Sequence, residues 1–295
     1  MPRKTITDFD PELLSLFDRY VHGFLTRRQF FDRAAKFAVG GVTVAALVDS
    51  LGPDYALAQQ VAADDARLSA AHVEYPSPQG AGTMRGYLVR PTQVAGPVSG
   101  VVVIHENRGL NPYVEDVARR VGTAGFVAFA PDALFPLGGY PGNDDDGRAL
   151  QRERDRDEMI EDFVAAVGFL RGHESCNGTV GAVGFCFGGS MANTLAVRVP
   201  DLAAAVPFYG GQPDVMDVPR IQASLLIHYA GLDERVNAGW PAYEAALQAN
   251  GKTYTAHMYE GAAHGFHNDT TPRFDEAAAA LAWDRTIEFF NQTLR

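Results

Sequence analysis

Cysteine is scarce: Cys176 and Cys186 are the only two in 295 residues. That is too few, and too unevenly spaced, for a disulfide framework or a cysteine-rich zinc site. Positive charge is also short, with 25 Lys and Arg against 36 Asp and Glu and a net of −11. Residues 1–60 hold seven of each sign, so the whole excess of negative charge lies on 61–295. An acidic body without a basic stripe repels phosphate backbones, which argues against nucleic acid as a partner. No uncharged apolar run nears the roughly 20 residues that cross a bilayer. The longest, Phe37 to Val48, has twelve residues between Lys36 and Asp49, so stable membrane insertion is not expected. The 30 glycines have no three-residue period, and 46% hydrophobic content is too high for a disordered chain. What remains is a soluble, enzyme-sized chain, long enough for one large core and an appendage.

The chain reads as two unequal parts, 1–68 and 69–295. The second alternates short β-branched runs with longer amphipathic stretches. Strands are expected at HVEYPS and MRGYLVR, joined by the turn QGAGT, then at GVVVIHE (100–106) and FVAFAPD (126–132). Further strands are TVGAVGF (179–185), AAVPFYG, SLLIHYAG and TYTAHMYEG. Helices are expected over 112–125, in one long stretch from Arg148 to Arg171 that follows a loop rich in Gly, Pro and Asp, PLGGYPGNDDDG, and near 188–199, 239–250 and 274–293. Strands alternating with crossover helices predict an α/β fold, its mostly parallel sheet covered by helices on both faces.

The first part is a helical N-terminal extension that admits two readings. Arg27-Arg28, an apolar stretch and the small-x-small triplet Ala56-Leu57-Ala58 follow the order of a twin-arginine export signal. On that reading the mature chain starts near Gln59 in the periplasm. Against it, four acidic residues precede Arg27. The other reading is an uncleaved cytoplasmic arm packed on the body or on a second copy of the chain, with 37–48 buried.

The sharpest motif is Gly184-Phe185-Cys186-Phe187-Gly188-Gly189, which has the form of a strand-to-helix nucleophile elbow with Cys at its apex. The turn is tight and the following helix packs close, so its glycines leave no space for a Cβ. A thiol at a helix N-terminus is biased toward thiolate. Asp233 comes 47 residues later, after SLLIHYAG, and His264 31 residues beyond that, before the last helix. Nucleophile, acid and histidine thus fall in α/β-hydrolase order. A free thiol has a pKa of about 8.5, so it needs a base, and that base needs a carboxylate to set its tautomer. His267 and Glu234 are the neighbouring competitors; His228 and His257 sit inside strands, and Cys176 lies in a polar turn without an elbow. His105-Glu106-Asn107-Arg108 closes another strand. The backbone N–H groups of Asn107 and Phe187 are the expected oxyanion donors. Glu106 is equally well read as a catalytic carboxylate or as a partner for Arg108.

Together, the elbow, Glu106, Asp233 and the loop Ala263-His264-Gly265-Phe266-His267 resemble the dienelactone hydrolase family, also called carboxymethylenebutenolidases, over about residues 70–295. HENRGLNPYVEDVARR and HGFHNDTTPR resemble its bacterial YghX-like subgroup, which shares an N-terminal extension. The resemblance implies a cofactor-independent, metal-free hydrolase with Cys186 as nucleophile, His264 as base and acid, and Asp233 as orienting group. It also implies that Glu106 helps to deprotonate the thiol when substrate binds. Three positions depart from the family pattern: Asn268 replaces a carboxylate-binding arginine, Arg108 an apolar residue and Phe208 a phenol, although Tyr209 remains. A second carboxylate-binding arginine is not placed among Arg148, Arg152, Arg154 and Arg156. Glu106 and Arg108 are accordingly expected to line the pocket mouth near Cys186, and Arg108, as a carboxylate anchor, and Tyr209 to bind substrate. The expected activity is hydrolysis of a lactone or small carboxylic ester through an acyl-enzyme. The alternatives are a general carboxylesterase or thioesterase, and a non-catalytic thiol sensor on the same fold. A homo-oligomer formed through the arm is a further expectation.

Overall fold

The computed structural model describes residues 4–38, 43–57 and 59–295. Three short helices open the chain, each with a side-chain cap. Asp10 accepts from the Glu12 N–H to start α1 (Pro11–Val21), Thr26 and Gln29 close a capping box on α2 (Arg27–Ala34), and Thr43 caps α3 (Val44–Leu51). Their apolar faces meet in a small cluster that includes Leu13, Leu16, Phe17, Phe30 and Leu51. Arg27 and Arg28 form the first turn of α2, and Arg27 reaches to 3.9 Å from Asp145 of the body. Of the apolar run 37–48, Phe37, Val44, Leu47 and Val48 pack against the cluster, while 39–42 lie outside the described residues. Ala58 of the small-x-small triplet and Met1 lie outside them too. No helix among the described residues is long and apolar enough to cross a membrane.

The body begins with the hairpin β1 (Leu68–Ser77) and β2 (Gly82–Pro91). It continues through β3 (Val98–Ile104), α4 (Pro112–Thr123), β4 (Val127–Pro131), α5 (Asp144–Glu153), α6 (Arg156–Gly172), β5 (Cys176–Phe185) and α7 (Phe187–Arg198). Then come β6 (Ala204–Phe208), β7 (Ser224–Ala230), α8 (Glu234–Asn237), α9 (Trp240–Ala249), β8 (Tyr254–Tyr259) and α10 (Glu276–Thr293). One eight-stranded sheet has the order β1-β2-β4-β3-β5-β6-β7-β8. Its β1–β2 and β2–β4 pairs are antiparallel, and the other five pairs are parallel. Alternate residues of β3 point to opposite faces, yet all but Val98 are buried. Val102 and Ile104 pack toward α6 and α7, while Val101 and Val103 pack toward α4 and α10. The parallel strands therefore all end on one sheet edge, which is where the candidate residues gather.

Three local expectations are corrected. The helix expected from Arg148 to Arg171 is two, because Asp155 turns its carboxylate onto the Asp157 and Glu158 N–H groups and starts α6 afresh. The break lets Arg154 bury its guanidinium on Asp162 at 2.6 Å. The acidic run expected in a loop belongs to α5: Asn143 caps it, and Asp144, Asp145 and Asp146 complement the helix dipole in its first turn. Cys176 is the buried first residue of β5 rather than part of a polar turn.

Candidate active site

β5 ends at Phe185 and α7 begins at Phe187, with Cys186 between them at φ 56° and ψ −111°. A non-glycine residue is held in this region only when its surroundings over-determine it, as at the apex of an elbow. The surroundings here are glycines: a Cβ on Gly184 would meet the Gly188 carbonyl, and one on Gly188 the Ile104 carbonyl. Phe187 is the first residue of α7, so its N–H has no acceptor within the helix.

Asp233 follows β7 and caps α8, accepting from the Val236 N–H at 3.3 Å. Its other oxygen, Oδ2, accepts from His264 Nδ1 at 2.5 Å. This bond leaves His264 Nε2 as the nitrogen available to the nucleophile, buried and without a hydrogen-bond partner. The structure thus brings together Cys186, His264 and Asp233 from three separate strand ends. Burial by itself would raise the Cys186 thiol, but the adjacent imidazoles, His264 first and then His22, outweigh it and lower the pKa to about 5. Burial would likewise lower His264; the thiolate and the bond to Asp233 raise it to about 10. Burial would raise Asp233, yet its hydrogen bond to His264 and that ring's charge hold it low. The arrangement favours a thiolate–imidazolium pair.

The competitors are engaged elsewhere. His267 bonds the Tyr113 hydroxyl at 2.6 Å and stacks on Phe185, His228 bonds Tyr259 and Thr286, and Asp233 rather than Glu234 meets the imidazole.

Glu106 and Arg108 differ from expectation. Both are buried, with 3% and 4% exposure, and neither lines a pocket mouth. The Arg108 guanidinium lies on Glu106 Oε2 and, at 2.6 Å, on Asp144, which also accepts from the Tyr55 hydroxyl. Asn268 donates to the same Glu106 oxygen at 2.8 Å. Two of the departures from the family pattern, at 108 and 268, therefore meet on one carboxylate. Arg108 is a buried ion-pair partner in place of the expected anchor, because its hydrogen-bonding edges are taken by protein oxygens. Of the other arginines considered, Arg148 and Arg154 are bound to carboxylates, while Arg152 and Arg156 point to solvent. His105 accepts from the Ala133 N–H and bonds the Glu106 carbonyl, pinning the loop that presents Asn107. Tyr209, at φ 37°, is buried 5.0 Å from the His264 ring, and its hydroxyl has no hydrogen-bond partner.

The residues that sequence reasoning missed come from the arm and from two arginines. His22, which ends α1, brings Nε2 to 3.5 Å from Cys186 Sγ. Its Nδ1 donates to the Asp18 carbonyl at 2.8 Å and lies 3.2 Å from the Asp18 carboxylate. The spacing Asp18-x-x-x-His22, one helical turn, was the available signal. The Asn107 side chain donates to the Val21 carbonyl at 2.7 Å, tying the arm to the loop after β3. A cleft of about 730 Å³ opens beside the pair, walled by Leu14, Asp18 and Phe24 of the arm and by His264, Arg235 and Arg273 of the body. In Arg273, Nε and Nη1 are buried without hydrogen-bond partners. Donor atoms of His22, Cys186 and His264 lie within 4.8 Å of one another, a set chemically suited to a zinc-type ion. The Arg235 guanidinium, 3.3 Å from His22 Nε2, places positive charge where such an ion would sit.

A mostly parallel sheet with an elbow at the end of β5, and an acid and a histidine on later strand ends, defines an α/β-hydrolase. The dienelactone hydrolase family model matches residues 84–294, and the chain belongs to that family of carboxylic ester hydrolases acting on small molecules. A second model, described as YqhI-like, matches residues 1–36. The hydrolase fragment YghX of Escherichia coli (strain K12) is 58% identical over 114 residues, 39% of this chain and 97% of that protein. Carboxymethylenebutenolidase 1 of Cupriavidus pinatubonensis is 28% identical over 224 residues, 73% of this chain and 94% of that one. Among solved structures, the dienelactone hydrolase-like promiscuous phosphotriesterase P91, from metagenomic libraries, superposes with a TM-score of 0.67 at 26% identity. That match covers 78% of this chain and all of P91.

Proposed function

We propose that this chain hydrolyses a lactone or small carboxylic ester through a covalent acyl-cysteine at Cys186. The observation that carries the reading is the strained Cys186 apex set against the His264–Asp233 pair, which are 2.5 Å apart. The Sγ thiolate bonds to the acyl carbon, and the carbonyl electron pair moves onto oxygen, facing the N–H groups of Asn107 and Phe187. Collapse breaks the bond to the alcohol oxygen, which takes the proton held by His264. A water then loses a proton to imidazole and adds to the thioester. The carbon–sulfur bond breaks, and acid and thiolate are released. Arg273 lines the cleft, and its guanidinium, whose Nη1 lies 3.9 Å from Asp18 without a hydrogen bond, suits a substrate that carries its own carboxylate. Tyr209, whose ring lies 5.0 Å from that of His264, borders the acyl site.

The test is hydrolysis of a panel of lactones, aryl esters and thioesters, each in acidic and neutral forms. Cys186→Ala is expected to lose on the order of 10³-fold or more of kcat. Turnover by that variant at the wild-type rate overturns the nucleophile. For the wild type, kcat/KM should rise with pH through about 5 as the thiolate forms, and fall through about 10 as His264 loses its proton. Acylation without subsequent turnover would favour the thiol-sensor alternative.

A further inference from the structure

The nucleophile has a second imidazole on it. His22 parallels His264: its Nδ1 donates to the Asp18 main-chain carbonyl at 2.8 Å, with the Asp18 carboxylate 3.2 Å away, which turns Nε2 toward Sγ at 3.5 Å and toward the Arg235 guanidinium. His264 is held through the same nitrogen, by the Asp233 carboxylate itself. The two rings meet edge to face, with centroids 4.7 Å apart. The groups around His22 are Asp18 on its own helix, Cys186 at the elbow, His264 in the loop after β8, and Arg235 of α8 at 3.3 Å. Arg273 faces the supporting Asp18 at 3.9 Å. The contact does not rest on one loose side chain, because Asn107 grips the backbone carbonyl of Val21, next to His22.

We propose that His22 is a catalytic residue contributed by the arm: the base that takes the proton from water when the acyl-enzyme is hydrolysed. The proposal rests on Cys186 being the nucleophile. In the resting pair the thiol proton sits on His264, which the bond to Asp233 favours as the cation, and His22 stays neutral. During acylation His264 gives that proton to the departing alcohol oxygen. During deacylation His22 accepts a proton from water, the hydroxide bonds to the acyl carbon, and the carbon–sulfur bond breaks to return the thiolate. The proton on His22 then passes to His264 across the sulfur they share, and the resting pair is restored. Two rings divide the two proton transfers, so neither must reverse its role within a turnover.

The experiment is pre-steady-state hydrolysis of a chromogenic aryl ester by the full-length chain, with the acyl adduct on Cys186 followed by mass spectrometry. His22→Gln is expected to keep the burst, to fall about 100-fold in steady-state kcat, and to accumulate the acyl-enzyme. Added imidazole should restore part of the rate. Asp18→Asn keeps the ring but loses its carboxylate, and should shift the balance the same way by a smaller factor. Unchanged kcat in both variants overturns the proposal. So does equal loss of burst and turnover, which would make His22 structural, or a gain in rate, which would make the arm a plug. If Cys186→Ala still gives the burst, the nucleophile reading itself fails, and this result is separable from the others.

Discussion

In β3, Val101 to Ile104 are all sealed from solvent because helices cover both faces of the sheet, whereas α1 buries Leu13, Leu16 and Phe17 along one stripe and leaves Pro11, Glu12, Ser15 and Arg19 exposed. The body therefore draws its stability from apolar area removed from water on two sides. The arm has a small cluster of its own, and its place over the sheet edge is set by a few directed contacts: Asn107 to Val21, Arg148 over the Tyr20 ring, Arg27 near Asp145, and Asp18 between Arg235 and Arg273. A surface held by such contacts can loosen without unfolding the sheet. The cleft beside His264 has one wall from each region, so the two kinds of stability meet at the site.

The largest separation of the two regions is expected from matched truncations. Phe163→Ala, in α6 at the centre of the body, should cost about 3–5 kcal/mol of global stability in denaturant unfolding. Phe17→Ala removes a ring that packs on Phe30 and under Arg273. It should free the arm to rapid hydrogen exchange and proteolysis while the main unfolding midpoint stays within error. A single transition shifted equally by both would show that arm and body unfold as one unit.

Next comes the buried ion pair that joins the loop after β3 to α5. Arg108→Ala strips the guanidinium from Glu106 and Asp144 and should destabilise the body by about 3 kcal/mol or more, because two carboxylates are left buried. Its KM for acidic and neutral esters should change together. A selective rise for acidic esters would reinstate Arg108 as a substrate anchor.

The smallest effect is expected at the contact between the regions. Asn107→Ala deletes one hydrogen bond to the arm, worth about 1 kcal/mol. Exchange protection should fall over α1 while the strands are unaffected, and kcat should fall if the arm supplies a working group. Unchanged protection over α1 would mean that the charged contacts alone hold the arm.

What could be read in the chain was local or ordinal. The elbow sits within six consecutive residues, and its glycines report two close approaches, one to the Gly188 carbonyl inside the motif and one to the Ile104 carbonyl of the neighbouring strand β3. Asp233 and His264 were legible because a parallel sheet delivers every strand end to one edge, so chain order stands in for position. The break before α6 was legible too, in Asp155 followed by Glu158, but the amphipathic pattern running through it masked the cap.

By itself the sequence determined the α/β class, the family, and the order in which a thiol, a carboxylate and an imidazole arrive at the sheet edge. Only the tertiary structure decided that Arg108 turns inward to Glu106 and Asp144, and that His22, 164 residues before Cys186, reaches its sulfur. Periodicity specifies which face of α1 is buried. Which surface that helix then covers depends on contacts, such as Asn107 with the Val21 carbonyl, that form only once the sheet has presented its edge.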